Sequence, residues 1–162
     1  VSITEQYVPL FSIDVVLKNN MSAKLEFKKS RNLSLSFANY QITEVKSDEI
    51  LFGFGYRIQG VNFGLKTRAE GGRSRTVKSD LNIKADFSLR SNKTTVRRID
   101  EKINQISTGQ RIISINTSAD YLVSKQFNIR VYYDKVINNP FVSNQYPNST
   151  SNGGFSLRFL LN

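Results

Sequence analysis

The sequence predicts an all-β protein, an antiparallel transmembrane β-barrel segment of about nine strands belonging to a much larger barrel, on three observations. Apolar residues recur at every second position in segment after segment, the period of a strand with one apolar face, and helical stripes are nearly absent. Charged residues fall opposite the apolar set, where they avoid the roughly 2–4 kcal/mol that Lys or Arg costs against mid-bilayer lipid. Turns are short except for two long polar stretches, an asymmetry found in outer-membrane barrels.

Taken in order, the first segment sets Phe11, Ile13, Val15 and Leu17 against Ser12, Asp14 and Lys18, and turns at Lys18-Asn19-Asn20. The second sets Ala23, Leu25 and Phe27 against Lys24, Glu26 and Lys28, with Ser30-Arg31-Asn32 as its turn. The third opposes Leu33, Leu35 and Phe37 to Ser34 and Ser36, and the move of apolar residues to even positions at Tyr40 and Ile42 suggests a bulge. After a turn at Ser47-Asp48, the fourth carries Ile50, Phe52, Phe54, Tyr56 and Ile58 on one face. The fifth carries Leu81, Ile83, Ala85, Phe87 and Leu89 and turns at Ser91-Asn92-Lys93. Residues 94–103 have charge on both faces and read as a strand beyond any lipid zone. The seventh carries Ile113, Ile115, Thr117, Ala119, Tyr121 and Val123, and turns at Ser124-Lys125-Gln126. Phe127, Ile129, Val131 and Tyr133 mark the eighth, and Phe155, Leu157, Phe159 and Leu161 the last.

Sorting by parity assigns the faces. Lys24, Glu26, Lys28, Arg57, Lys84, Asp86, Arg90, Asp120, Arg130, Asp134 and Arg158 are expected to face the lumen. Phe11, Ile13, Val15, Leu25, Phe27, Phe52, Phe54, Phe87, Ile115, Tyr121, Ile129, Val131, Phe155 and Phe159 are expected to face lipid. So many ions would crowd a narrow barrel and each would need a partner, whereas a wide hydrated lumen imposes no such demand.

The chain has 162 residues, a formal net charge of +10, and neither Cys nor His. Thiolate and histidine catalysis, disulfides and Cys/His zinc sites are therefore excluded, and no enzymatic role or cofactor is expected. No apolar run approaches the roughly 20 residues of a spanning helix. Residues 60–79, with Lys66, Arg68, Arg73, Arg75 and Lys78 against one carboxylate, and residues 138–153, rich in Asn, Ser, Pro and Gly, are expected to be extracellular loops. The basic loop suits solvent or lipopolysaccharide phosphates; without aromatic platforms beside it, nucleic acid is not an expected partner. A complete bacterial barrel has an even number of strands, so an odd count reads as the closing portion of a larger one, residues 1–162 being its C-terminal part.

Other motifs carry less. Gly53-Phe54-Gly55 has no third glycine for a phosphate loop and lies mid-strand. Asp48-Glu49 and Asp100-Glu101 are adjacent along strands, so their carboxylates point apart and form no acid/base pair. Two rival classes fit the alternation: a fragment of another outer-membrane porin or receptor, and a soluble basic β-sandwich that binds polyanions.

The strings Ile3-Thr4-Glu5-Gln6-Tyr7, Leu17-Lys18-Asn19-Asn20, Lys28-Lys29-Ser30-Arg31-Asn32-Leu33-Ser34-Leu35-Ser36 and Thr43-Glu44-Val45-Lys46-Ser47 come first. Asp80-Leu81-Asn82, Asn92-Lys93-Thr94, Tyr132-Tyr133-Asp134, Asn139-Pro140-Phe141-Val142-Ser143 and Phe155-Ser156-Leu157-Arg158-Phe159 follow in order. Together they resemble the C-terminal region of the SprA/Sov family, the outer-membrane translocons of type IX secretion in Bacteroidetes, over essentially the whole chain. The resemblance implies a giant single-chain barrel in the outer membrane of a Gram-negative bacterium, whose lumen passes folded cargo from periplasm to cell surface. It also implies partners: the remainder of the translocon chain, a PorV-type barrel at a lateral opening, a periplasmic plug protein and secreted cargo.

Overall fold

The computed structural model describes residues 1–62, 66–68, 74–76, 79–124, 127–142 and 145–159. Its strands are β1 (Ser2–Val16), β2 (Met21–Ser36), β3 (Gln41–Val61), β4 (Lys66–Arg68), β5 (Ser74–Thr76), β6 (Ser79–Arg98), β7 (Ile103–Ser124), β8 (Phe127–Pro140) and β9 (Asn148–Phe159). Seven of them form one antiparallel meander in the order β1-β2-β3-β6-β7-β8-β9, and β4 and β5 pair separately as a small hairpin. Among the described residues there is no helix.

The expectation of nine segments in a barrel is corrected in two ways. The main sheet has seven strands, and it is open: β1 and β9 are edges rather than neighbours. The count falls because three strings that read as turns are strand interior. Ser30 pairs with Ser47, and Ser47 with Asn92, so the three strings lie side by side as one polar belt across β2, β3 and β6. Ser47 Oγ donates to Asn92 Oδ1 at 2.7 Å within that belt. The expected second and third segments are thus one strand, as are the fifth and the stretch from 94. The change of apolar parity near Tyr40 comes from a turn at residues 37–40, closed by Tyr40 at φ 46°, rather than from a bulge. A bulge does occur in β1 between Tyr7 and Phe11, where Pro9 sits. The bulge leaves residues 8–10 without partners on β2, so the missing N–H of proline breaks no rung of that ladder.

Three strands, β6, β7 and β8, separate residues 60–79 from residues 138–153, so the two stretches lie at opposite ends of the sheet. At most one of them is extracellular if the sheet crosses a membrane, since an odd number of crossings changes sides. The second is also shorter than expected, because β8 runs to Pro140 and β9 starts at Asn148. Arg73 and Lys78 of the basic stretch, and Leu161 of the last segment, lie outside the described residues.

The sheet is a single layer. Tyr121 and Val123 are the buried hydrophobic side chains among the described residues, while Phe52 is 49% exposed, Phe87 44% and Phe155 75%. An apolar surface this continuous is not one that water alone leaves uncovered.

Candidate lipid and lumen faces

Residues paired across an antiparallel ladder share a face, so the register sorts the side chains directly. One level reads Ile13, Leu25, Phe52, Phe87 and Ile115; two residues along each strand another reads Val15, Ala23, Phe54, Ala85 and Thr117. A further level holds Ile58, Leu81, Tyr121, Ile129 and Leu157. All fourteen residues expected to meet lipid fall on this one face. Aromatic pairs mark its two margins: Phe11 stacks on Phe27 at 5.8 Å between ring centres, and Phe127 on Phe159 at 4.4 Å.

The other face carries levels such as Asp14, Lys24, Gly53, Asp86, Asn116 and Asp134, and Arg57, Asn82, Asp120, Arg130 and Ser156. All eleven residues expected to face a lumen are here. Lys24 and Lys28 share Glu26 at 2.8 and 3.3 Å, and Arg90 meets Glu49 at 3.2 Å. Arg57 pairs with Asp80, which also accepts from the Gly60 amide at 3.3 Å, and Arg130 reaches Asp120 at 3.8 Å. Lys84, Asp86, Asp134 and Arg158 have no ion pair among the described residues. Lys84, Asp86, Arg130 and Asp134 line an open depression of about 540 Å³. Among the described residues no group of three or more His, Cys, Asp or Glu side chains could hold a metal ion.

The lower margin of the apolar zone follows a ladder row over most of the sheet and leaves it at one side. Phe11 is level, through Phe27, Ile50, Leu89, Ile113 and Ile137, with Ser149. In β9, however, the apolar run on this face starts at Phe155, six residues beyond 149, after six strand-to-strand steps. The lower margin thus keeps to one row from Phe11 to Ile113 and steps up only across β8 and β9, where Lys135 and then Ser149, Ser151 and Gly153 stand on this face.

Beyond the lower margin the same face turns basic, which the sequence reading did not single out. Lys29, Asp48, Ser91 and Arg111 share the first level; Glu5, Arg31, Lys46 and Lys93 share the next. Glu44, 2% exposed, then holds Arg31 Nε at 2.6 Å, Lys46 Nζ at 3.2 Å and Arg97 Nη2 at 2.8 Å. Burial pushes its carboxyl up, but the hydrogen bonds from Arg31 and Lys46 and their charges outweigh it, so Glu44 sits below the usual carboxylate range. Arg31 and Lys93 lie in strings that read as turns, and Lys29 and Lys46 directly adjoin such strings, so alternation does not carry across the band.

No family model matches the chain, and no curated protein matches it either.

Proposed function

We propose that this chain is a section of the wall of an outer-membrane β-barrel, and that the barrel is a protein-conducting pore of the type IX kind. One observation carries the first part: a single-layer sheet with one continuous apolar, aromatic-margined face and one charged face, and no second layer over either among the described residues. A soluble sandwich needs a second sheet against the apolar face. A bilayer supplies that cover directly, and the charged face then meets water.

The open edges require more strands. In hydrocarbon every backbone N–H and C=O needs a partner, so β1 and β9 are paired with other strands in the working protein. With seven strands the two edges point the same way, and an antiparallel closure takes an odd number of further strands. The remainder of a longer translocon chain supplies them in this reading. Unpaired, hydrated charges on the inner face fit a wide lumen, in which mixed charge discourages adhesion of passing cargo.

The translocon part rests on the resemblance to SprA/Sov, as do its partners: a PorV-type barrel, a periplasmic plug protein and secreted cargo. Replacing Lys84, Arg90 and Arg130 together by Gln tests it. Slowed export of folded cargo, with the protein still folded in the outer membrane, is the expected result. Normal export with impaired uptake of a small solute would favour a porin or receptor instead.

A further inference from the structure

The basic band and the apolar zone are continuous on one face, and within the seven-stranded sheet the band lies at one margin among the described residues. On the side of Phe27, Ile50 and Leu89, the face carries Lys29, Arg31, Lys46, Lys93, Arg97 and Arg111 against Glu5, Glu44 and Asp48, six cations to three carboxylates. On the opposite margin, with Ile58, Leu81, Tyr121 and Val123, this face has no charged side chain among the described residues.

Three of its six cations are spent on carboxylates of the band and three, among the described residues, are not. Glu44 is saturated by Arg31, Lys46 and Arg97, which fixes the floor of the band. Lys29, Lys93 and Arg111 have no ion pair among the described residues, although Arg111 lies over the Phe141 ring at 5.9 Å. From Lys29 on β2 to Arg111 on β7 is three strand spacings, roughly 14 Å, the breadth of a disaccharide headgroup. One residue pair further along each strand begins apolar surface, where acyl chains would lie.

We propose that this band binds the phosphorylated sugar headgroup of lipid A, with the acyl chains against Phe27, Ile50 and Leu89. Phosphate oxygens accept from Lys and Arg donors at the level where an outer-leaflet headgroup sits. The site rests on the reading of the chain as an outer-membrane wall and adds a direction to it: the basic margin faces outward. Residues 138–153 then lie on the extracellular side and residues 60–79 on the periplasmic side.

The test uses the full protein extracted from outer membranes in mild detergent. Native mass spectrometry would measure retained lipid, and titration would compare phosphorylated lipid A, dephosphorylated lipid A and inorganic phosphate. Wild-type protein is expected to prefer the phosphorylated lipid, and K29Q/K93Q to bind it roughly tenfold or more weakly. K18Q, at the opposite end of the sheet, is the control and is expected to bind as wild type does. Equal binding of dephosphorylated lipid, displacement by millimolar phosphate alone, or undiminished binding by K29Q/K93Q would overturn the proposal. A protein found outside the membrane fraction would instead overturn the barrel-wall reading beneath it.

Discussion

Arg31 Nε on β2 donates to Glu44 Oε1 on β3 at 2.6 Å, while Arg97 on β6 takes the other carboxylate oxygen at 2.8 Å. One buried carboxylate thereby ties three strands together where the apolar zone has ended. Glu44→Gln is expected to lower stability by about 1–3 kcal/mol, since it leaves a polar group and three facing cations imperfectly matched. The sign with pH follows from the depressed carboxyl: its contribution is complete above the ordinary carboxylate range and fades as pH falls through the lower folded value. Urea midpoints of wild type and Glu44→Gln should therefore differ at neutral pH and converge in acid.

The absence of native cysteine makes the assignment of faces directly measurable. Lys84→Cys and Arg130→Cys are expected to react with a water-soluble maleimide in opened membranes. Phe87→Cys and Val131→Cys are expected to react only after detergent is added. Equal labelling of the two sets would remove the lipid and lumen assignment.

Two glycines separate tolerated from untolerated bulk. A methyl at Gly53 would meet Asp86 Oδ1 at 2.7 Å, the end of a side chain that can rotate away. A methyl at Gly109 would meet the Asn92 carbonyl oxygen at 2.8 Å and the Lys93 Cα at 3.2 Å, both main-chain atoms, with the Phe141 ring at 2.9 Å. Gly53→Ala should shift stability by less than about 0.5 kcal/mol, and Gly109→Ala should cost about 1–3 kcal/mol. Unfolding in urea, followed by mobility on unheated gels, would rank them.

What was legible in the sequence follows the hydrophobic signal. Where one face of a strand meets apolar surroundings, as from Ile50 to Ile58 or Leu81 to Leu89, alternation by itself specifies both the strand and its facing. Where both faces are polar the period vanishes, and Ser30-Arg31-Asn32 and Ser91-Asn92-Lys93 are chemically the same as turns. They are strand because Ser47 and its neighbours pair with both, a long-range fact that local chemistry does not encode. Losing those extensions changed the strand count, and with it the ends assigned to the two long stretches. It also hid the Glu44 network, whose members are 13 and 53 residues apart.

The break of the apolar zone at β8 makes a prediction that ladder rows alone would contradict. In β3 the apolar run centres on Phe54; in β8 Lys135 interrupts it, so that the run centres nearer Val131 and Ile137 lies beyond the margin, although Ile137 shares a row with Phe11, Ile50 and Ile113. Lys135 sits on this face level with Ile115 and two residues from Tyr133, where a margin that kept to the row would force it into hydrocarbon. Phe54→Arg and Val131→Arg should therefore each cost about 2–4 kcal/mol in lipid, as a cation does near mid-bilayer, and Ile137→Arg about 0–1 kcal/mol. Folding into lipid vesicles, measured by denaturant titration, gives all three values. A cost at Ile137 as large as that at Val131 would mean that the zone keeps to the row in β8 as well. Lys135 would then lie within hydrocarbon, against the assignment of this face to lipid.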